Sequence, residues 1–274
     1  MTGPAGGSVP VAEGAPPGGD GRQTLGSLLL VPSPLDFGCA QLAPLDQVMP
    51  MGTLRRAARL SHWICESAKT TRAYLKRIDA VQALQCPIRD MTIQELPRTV
   101  HKHGDHRGEF DARPLLRAAL HGHDIGLVSE AGMPAIADPG SSVVRAAHDL
   151  GLTVQALVGP VSLLLALAAS GLNGQSFAFA GYLPQDPAGR ARRAQELEQL
   201  ALKSGQTQVF IEVPYRNTHM LQTLLQTLGP ATRLAVGSGL TLSHVAMHSA
   251  SIARWRAAPW PLDNATPAVF AIGP

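Results

Sequence analysis

From Leu25 onward the chain alternates between short apolar runs and stretches with helical periodicity. Runs such as "LGSLLLV" and "IGLVS" are typical of buried strands, and "SSVVRAAHDLG" spaces its apolar residues as a helix does before a glycine stop. Strands that alternate with helices predict parallel sheets covered by helices. We therefore expect an α/β fold.

A glycine-proline pair, Gly159-Pro160, separates two sets of alternating elements. We predict an N-terminal α/β lobe over residues 25–158 and a C-terminal α/β lobe over residues 159–274, with a ligand site in the cleft between the two lobes. Residues 1–24 are dominated by Gly and Pro without periodicity, so we expect a disordered tail there.

Composition excludes several classes of protein. The formal charge of +3 permits an anionic partner such as nucleic acid but does not demand one. No apolar stretch reaches the roughly 18 residues of a membrane span, and the first residues do not resemble a secretory signal, so we expect a cytoplasmic protein. The three cysteines include no C-x-x-C pair, which predicts reduced thiols and neither a disulfide framework nor a zinc site.

The stretch from Ser129 to Gly140, "SEAGMPAIADPG", joins a predicted strand to a predicted helix. Ligands bind beyond the carboxyl ends of strands in open parallel sheets, and Gly132 would allow close approach of the backbone to a ligand. The loop lacks Lys and Arg but contains Glu130 and Asp138, so it favours a neutral or cationic ligand over a polyphosphate. The alternative is a proline-braced connection that binds nothing.

Three further features leave alternatives open. Ser162 follows the Gly-Pro turn and would either cap the next helix or contact a ligand. The histidines between His101 and His123 are not spaced as a tight metal site, so we expect a solvated or RNA-facing loop and no metal. The helix predicted over 189–205 presents either a solvated face or an edge that contacts phosphate, for which the candidates are Arg190, Arg192 and Arg193.

Four motifs occur in order: "LVSEAGMPAIADPG", "VGPVS", "FAFAGYLP" and "FIEVPYRN". Together they resemble the tetrapyrrole-methylase-type family of S-adenosylmethionine-dependent methyltransferases. They are most similar to its branch that methylates ribose 2′-hydroxyls of cytidine in small-subunit ribosomal RNA. The resemblance covers the chain from about Leu28 to its C-terminus. It implies a two-lobe α/β fold with S-adenosylmethionine in the cleft.

The resemblance also implies roles for residues at matching positions. The residues implied to bind the cofactor are Pro34, Ala131, Gly132, Met133, Ile136, Val161, Ser162, Leu183, Glu212, Val213 and Pro214. Tyr215 and Arg216, in the last motif, are implied to contact substrate beside the helix 189–205. Glu66, Arg72 and His103 are the catalytic candidates, because Glu66 and His103 are potential bases and Arg72 would hold a phosphate or pair with Glu66.

Two departures from the ribosomal branch concern charge. Where that branch has "E-D-T-R", this chain has "ESAKTTR", and where it has "R-E-L-T-K", this chain keeps only Leu240-Thr241. We expect an S-adenosylmethionine-dependent enzyme that methylates ribosomal RNA, acting as a homodimer. The alternatives are a methyltransferase for a tetrapyrrole-like small molecule, and a homologue that binds cofactor or RNA without catalysis.

Overall fold

A computed structural model of the chain describes residues 24–274 except 104, 107 and 109, and describes residues 101–103 by their backbone alone. The tail expected at residues 1–24 lies, apart from Thr24, outside the described residues. The structure has an α/β fold with two five-stranded sheets. The α/β class predicted from the sequence is thereby confirmed.

The first sheet is built from the N-terminal part of the chain. Its strands are β1 (Ser27–Leu30), β2 (His62–Cys65), β3 (Thr92–Glu95), β4 (Ile125–Val128) and β5 (Thr153–Ala156). They lie in the order β3-β2-β4-β1-β5 and every pair is parallel, as the alternation of strands and helices predicts. All four residues of β4 are buried, which is typical of a central parallel strand covered on both faces.

Helices cover both faces of the first sheet. They are α1 (Leu45–Val48), α2 (Met51–Ala57), α3 (Ala68–Val81), α4 (Arg98–His103), α5 (Arg117–Leu120) and α6 (Ser141–Asp149). On one face Leu54 and Leu75 pack with Trp63 of β2. On the other face Val143 packs with Leu28 of β1. The sheet therefore has two separate apolar cores, and its strand ends are left free to build loops.

The second sheet is built from the C-terminal part of the chain. Its strands are β6 (Phe177–Tyr182), β7 (Thr207–Glu212), β8 (Arg233–Ser238), β9 (Ala246–Ser251) and β10 (Ala268–Gly273). They lie in the order β6-β7-β10-β8-β9. The helices are α7 (Ser162–Ser170), α8 (Pro187–Ser204), α9 (Asn217–Thr227) and α10 (Ile252–Ala257).

The prediction of parallel pairing is wrong for most of this second sheet. Only β6 and β7 are parallel neighbours, while β10 is antiparallel to both β7 and β8, and β9 is antiparallel to β8. The reason is that β10 inserts between two strands that are joined by a helical crossover. Its Phe270 stacks on Phe210 of β7 at 5.7 Å between ring centroids, so the inserted strand completes the core.

The chain passes from the first sheet to the second between Ala156 and Phe177. The predicted boundary at residues 158 and 159 falls in this connection, and it stays a prediction. Among the residues that the structure describes, no helix is both long and apolar enough to span a membrane. Over the same residues, no group of three His, Cys, Asp or Glu side chains is placed to hold a metal ion.

Candidate functional site

A cavity of about 250 Å³ lies between the two sheets, at the carboxyl ends of several strands. The first sheet contributes the loops after β1, β4 and β5, and the second contributes the ends of β6, β7 and β8 with the start of antiparallel β10. Its walls are formed by Leu35, Phe37, Ala131, Gly132, Met133, Ile136, Ala137, Asp138, Val161, Ser162, Leu163, Tyr182, Ile211, Glu212, Val213, Pro214, Leu240, Pro267, Ala268 and Val269. Sequence-distant loops thus meet at the edge where open α/β sheets bind ligands.

Gly132 has a backbone that only glycine adopts readily, with φ at 71°. A Cβ atom at this position would lie 3.3 Å from Cδ2 of Leu35, which is tighter than ordinary contact. Its main chain exchanges two hydrogen bonds with Ser33, Ser33 N to Gly132 O at 2.9 Å and Gly132 N to Ser33 O at 3.0 Å. The loop is therefore fixed against the chain after β1, with no side chain between its backbone and the cavity.

The same loop contains two residues in strained conformations. Ala135 and Ala137 have φ of 64° and 67°, values that cost alanine about 1–2 kcal/mol each. The loop is held at its end by Asp105, whose carboxylate accepts hydrogen bonds from the Gly140 amide at 2.9 Å and from the Ser142 amide at 2.9 Å. Asp105 is not among the site residues predicted from the sequence, although it lies in the histidine-rich segment between His103 and His106.

The first turn of α7 faces the cavity. Val161 is the residue that caps this helix, and no side chain makes a capping hydrogen bond there. The proposed capping role for Ser162 is therefore wrong, because Ser162 is the first helical residue and not the cap. The first-turn amides of a helix have no intrahelical partners. Ser162 and Leu163 line the cavity, so their amides are available to a ligand.

Asp138 lines one end of the cavity, and two further carboxylates lie near it. Burial, followed by the charges of Glu66 and Glu130, raises the pKa of Asp138 to about 7. The amide of Glu130 donates a hydrogen bond to the Glu66 carboxylate at 3.3 Å. Across the cleft, burial and the charge of Asp138 raise the pKa of the Tyr182 hydroxyl. Asp138 lines the cavity, so its ionised form would favour a ligand with a positive charge.

Glu212 and Arg216 form an ion pair at the opposite wall. Arg216 Nη2 lies 2.9 Å from Glu212 Oε1, and the Glu212 side chain is fully buried. Glu212 Oε2 and Arg216 Nε are buried without a hydrogen-bond partner among the described residues. Orphaned buried polar atoms carry a desolvation cost that a bound ligand would relieve. Tyr215, by contrast, is 67% exposed beside this pair.

Most of the residues expected to bind cofactor come together at this cavity. Those that line it are Ala131, Gly132, Met133, Ile136, Val161, Ser162, Glu212, Val213 and Pro214. Pro34 instead lines a second, adjacent cavity. Leu183 is buried in the apolar core of the second sheet and does not line the cavity. Their role as ligand contacts stays a prediction.

Leu183 and the cavity-lining Tyr182 are neighbours, and strand geometry explains the one-residue offset. Successive side chains of a strand point to opposite faces, so in "GYL" only one of the two can face the cleft. Tyr182 lines the cavity and Leu183 packs in the apolar core, so Tyr182 is the residue that faces the cleft. Strict alternation along "FAFAGYL" does not predict this facing, because the pairing of β6 with β7 is irregular between Phe179 and Tyr182, where Gly181 has a φ of 72°.

Not all three arginines predicted to contact phosphate from α8 are exposed at its surface. Arg190 is 7% exposed and donates hydrogen bonds to Thr223 Oγ1 at 3.0 Å and to the Gln185 carbonyl at 3.3 Å. It therefore joins α8 to α9 and does not reach a phosphate from this position. Arg193 pairs with Glu196 at 2.9 Å, while Arg192 is exposed.

Two of the three catalytic candidates, Glu66 and Arg72, lie near enough to Cys65 for their charges to affect the pKa of its thiol. Glu66 follows β2 and lies close enough to Asp138 to raise its pKa. Arg72 is exposed on α3. His103 is the last residue of α4, and its side chain lies outside the described part of the chain.

Comparison with known proteins places this geometry in a family. The model of the tetrapyrrole (corrin/porphyrin) methylases matches residues 52–254. Curated relatives named ribosomal RNA small subunit methyltransferase I are 38% identical over 137 residues in Vibrio cholerae and 36% identical over 156 residues in Mesorhizobium japonicum. These alignments cover 50% and 57% of this chain but only 46% and 51% of the relatives, so the chain spans about half the length of the curated relatives it matches.

Two solved structures share the fold. Uroporphyrin-III-C-methyltransferase from Thermus thermophilus superposes with a TM-score of 0.51 at 17% identity, covering 90% of this chain and 94% of that one. The methyltransferase CobJ superposes with a TM-score of 0.54 at 15% identity, with the same coverage of 90% and 94%. At such identities the likeness concerns the fold alone. With the family model matching most of its length, the chain belongs to the tetrapyrrole methylase family.

Proposed function

We propose that this protein is an S-adenosylmethionine-dependent methyltransferase whose acceptor is a ribose 2′-hydroxyl in small-subunit ribosomal RNA. The observation that carries the proposal is the convergence of all four motif segments, from both halves of the chain, on one cavity. The relatives named ribosomal RNA small subunit methyltransferase I support the choice of acceptor.

The cavity residues fit this cofactor. S-adenosylmethionine, when bound, supplies a methyl group on a positively charged sulfonium. Asp138, when ionised, provides negative charge on one wall, and Oε2 of Glu212, which is paired with Arg216 through Oε1, has no partner among the described residues. The amides at the start of α7 suit a carboxylate group, since helix N-termini favour anions. Gly132 allows the backbone to contact a ribose closely.

The acceptor hydroxyl is a weak nucleophile and needs a group that takes its proton. Glu66 and His103 are the candidates from the sequence, and the structure adds Asp138. A carboxyl whose pKa is about 7 is a stronger base than an ordinary carboxylate while still ionised in part at neutral pH. Alignment of cofactor and acceptor by the two lobes would supply a further large share of the rate.

The same proposal includes a homodimer in the cytoplasm. Large apolar side chains are exposed around α7 and the connection before it: Val158 is 72% exposed, Leu164 49% and Leu165 40%. Apolar side chains clustered on a surface are typical of protein interfaces. Light scattering at two protein concentrations would measure the mass in solution.

Cofactor binding is tested with Gly132→Val. We expect calorimetry to detect no binding of S-adenosylmethionine, because a branched side chain would enter the cavity from a backbone that disfavours it. Gly52→Val on the exposed face of α2 is the matched control, since a Cβ there meets nothing within 4 Å. Unchanged affinity in Gly132→Val would refute the assignment of the loop.

The acceptor is tested by transfer of a radiolabelled methyl group into a fractionated extract from a strain that lacks the protein. Label in small-subunit RNA, in ribose after nuclease digestion, is the expected result. Label in a small-molecule fraction would instead identify a tetrapyrrole-like acceptor. Cofactor binding without label in any fraction would identify a binding protein.

A further inference from the structure

A second cavity of about 230 Å³ adjoins the cofactor cavity. Ser33 lines the second cavity and Gly132, whose backbone pairs with that of Ser33, lines the first, so the two cavities meet at this pair. Phe37, which is 47% exposed, lines both. Of the residues predicted to bind the cofactor, only Pro34 lines this second cavity. A two-substrate reaction needs such a neighbouring site.

The second cavity contains an unsatisfied polar group. Ser129 is 5% exposed and lines the cavity, and its Oγ has no hydrogen-bond partner among the described residues. Next to it, the side chain of Glu130 also lines the cavity. A buried hydroxyl without a partner is costly, so this one is suited to a ligand that supplies a donor or acceptor.

Several other polar groups of the lining are already hydrogen-bonded within the protein. Arg77 holds Asp36 through two hydrogen bonds, of 3.0 and 2.9 Å, and also donates to the Ala43 carbonyl at 2.8 Å. Tyr74 donates to the Pro32 carbonyl at 2.8 Å. These groups satisfy one another, so they shape the cavity and leave Ser129 and Glu130 as its available polar groups.

A basic stripe runs along the rim of the second cavity. Lys69, Arg72 and Lys76 lie at spacings of three and four on α3, which places them on one face of the helix, and all three are exposed. Neither lysine has an ion pair among the residues that the structure describes. The adjacent face of α3 lines the cavity through Thr70 and Ala73, among others.

We propose that the second cavity receives the acceptor ribonucleoside, unstacked from its strand, and that the Lys69–Arg72–Lys76 face binds the phosphates on either side of it. This inference rests on the proposed function. A neutral nucleoside suits an interior with a hydroxyl and a carboxylate, with Phe37 available for stacking, while phosphates require cations outside it. The positions of these charges separate nucleoside from phosphate in this way.

The cavity is tested by filling it with Ala73→Phe. Ala73 is an exposed helical residue at the cavity wall, so the substitution should leave the fold intact. We expect the affinity for a single-stranded RNA containing the acceptor to fall at least tenfold, with the calorimetric affinity for S-adenosylmethionine unchanged. Ala80→Phe, an exposed position two turns further along α3 and outside the cavity lining, is the matched control.

The stripe is tested with Lys69→Gln/Lys76→Gln, which spares the catalytic candidate Arg72. Loss of two phosphate contacts should reduce the slope of log K against log salt by about 1.4 for a single strand. The control Arg117→Gln/Arg254→Gln removes the same charge from exposed positions on α5 and α10 and should leave the slope unchanged.

The outcomes separate this inference from the proposed function. If the wild type methylates RNA but both α3 variants bind RNA as it does, the inference is wrong and the function stands. If the wild type transfers no methyl group to RNA, the proposed function fails, and the inference that rests on it fails with it. If Ala73→Phe loses cofactor as well, it has disturbed the fold, and the lysine pair decides.

Discussion

Ionisation of Asp138 should destabilise the folded protein but strengthen its binding of a cationic ligand. Its carboxyl lines the cofactor cavity, and burial together with Glu66 and Glu130 raises its pKa from 3.8 to about 7. The folded protein therefore holds a proton there that the unfolded chain releases. Asp138→Asn keeps the shape of the side chain and removes its titration.

The magnitude follows from linkage. A tenfold difference in proton affinity corresponds to about 1.4 kcal/mol, so a pKa raised from 3.8 to about 7 costs the folded state at most about 4 kcal/mol above pH 7. Below pH 4 the carboxyl is protonated in both states and the cost vanishes. Because the unfolded chain binds fewer protons between these limits, stability falls as the pH rises from 4 to 7.

The assay is urea unfolding of the wild type and of Asp138→Asn at several pH values between 4 and 8. We expect the variant to match the wild type near pH 4 and to gain stability progressively up to pH 8, by as much as about 4 kcal/mol. Asp149→Asn, an exposed carboxylate on α6, is the control and should show no such trend. A stability difference for Asp138→Asn that does not vary with pH would refute the reasoning.

The affinity for a cationic ligand should increase over the same pH range in which stability falls. The ionised Asp138 attracts a cation, so the ratio of affinities for S-adenosylmethionine and S-adenosylhomocysteine, which lacks the sulfonium charge, should increase as the pH rises through 7. The variant should lose this dependence. A ratio that stays constant in the wild type would show that Asp138 does not sense the sulfonium.

Two further substitutions test parts of the structure that support the site. Arg190→Ala removes buried hydrogen bonds between α8 and α9 and should lower the free energy of unfolding by on the order of 2 kcal/mol, as measured in urea, without changing the salt dependence of RNA binding. Asp105→Ala should destabilise the protein at pH 7 by about 1–3 kcal/mol. Burial works to raise the pKa of Asp105, but hydrogen bonds from Ser142, Ser141 and Gly140 outweigh it and the net pKa is lowered. The wild type therefore loses this stabilisation as the pH falls through the lowered pKa, and the difference from Asp105→Ala should shrink in acid.

Periodicity in the sequence was sufficient for most elements of the first sheet. Runs such as "IGLVS" are apolar throughout because β4 is buried on both faces, and that pattern predicts a central parallel strand. β9, "AMHSAS", escaped because it is an edge strand with mostly half-buried residues and no apolar run. The position of β10 escaped for a different reason, since insertion between β7 and β8 depends on contacts between distant segments.

Motifs in the sequence located the cavity between the two sheets but not all of its chemistry. The loop around Gly132 was identified from its residues, and the structure places it at the cavity. Asp138 was read only as part of an acidic loop, because its unusual pKa depends on Glu66, a residue of another strand end. The burial of Arg190 was not predicted, because a charged residue at the start of a helix is ordinarily solvated. It depends on the packing of α9, whose Thr223 accepts a hydrogen bond from Arg190.

The exchange of hydrogen bonds between Ser33 and Gly132 gives the two cavities a common partition of main chain. If filling one cavity moves this backbone pair, the shape of the other cavity changes as well. We therefore expect the binding free energies of the two occupants to be coupled. Such coupling is reciprocal: the factor by which one ligand alters the affinity of the other is the same in both directions. One strip of backbone would then make the affinity of each cavity depend on whether the other is filled.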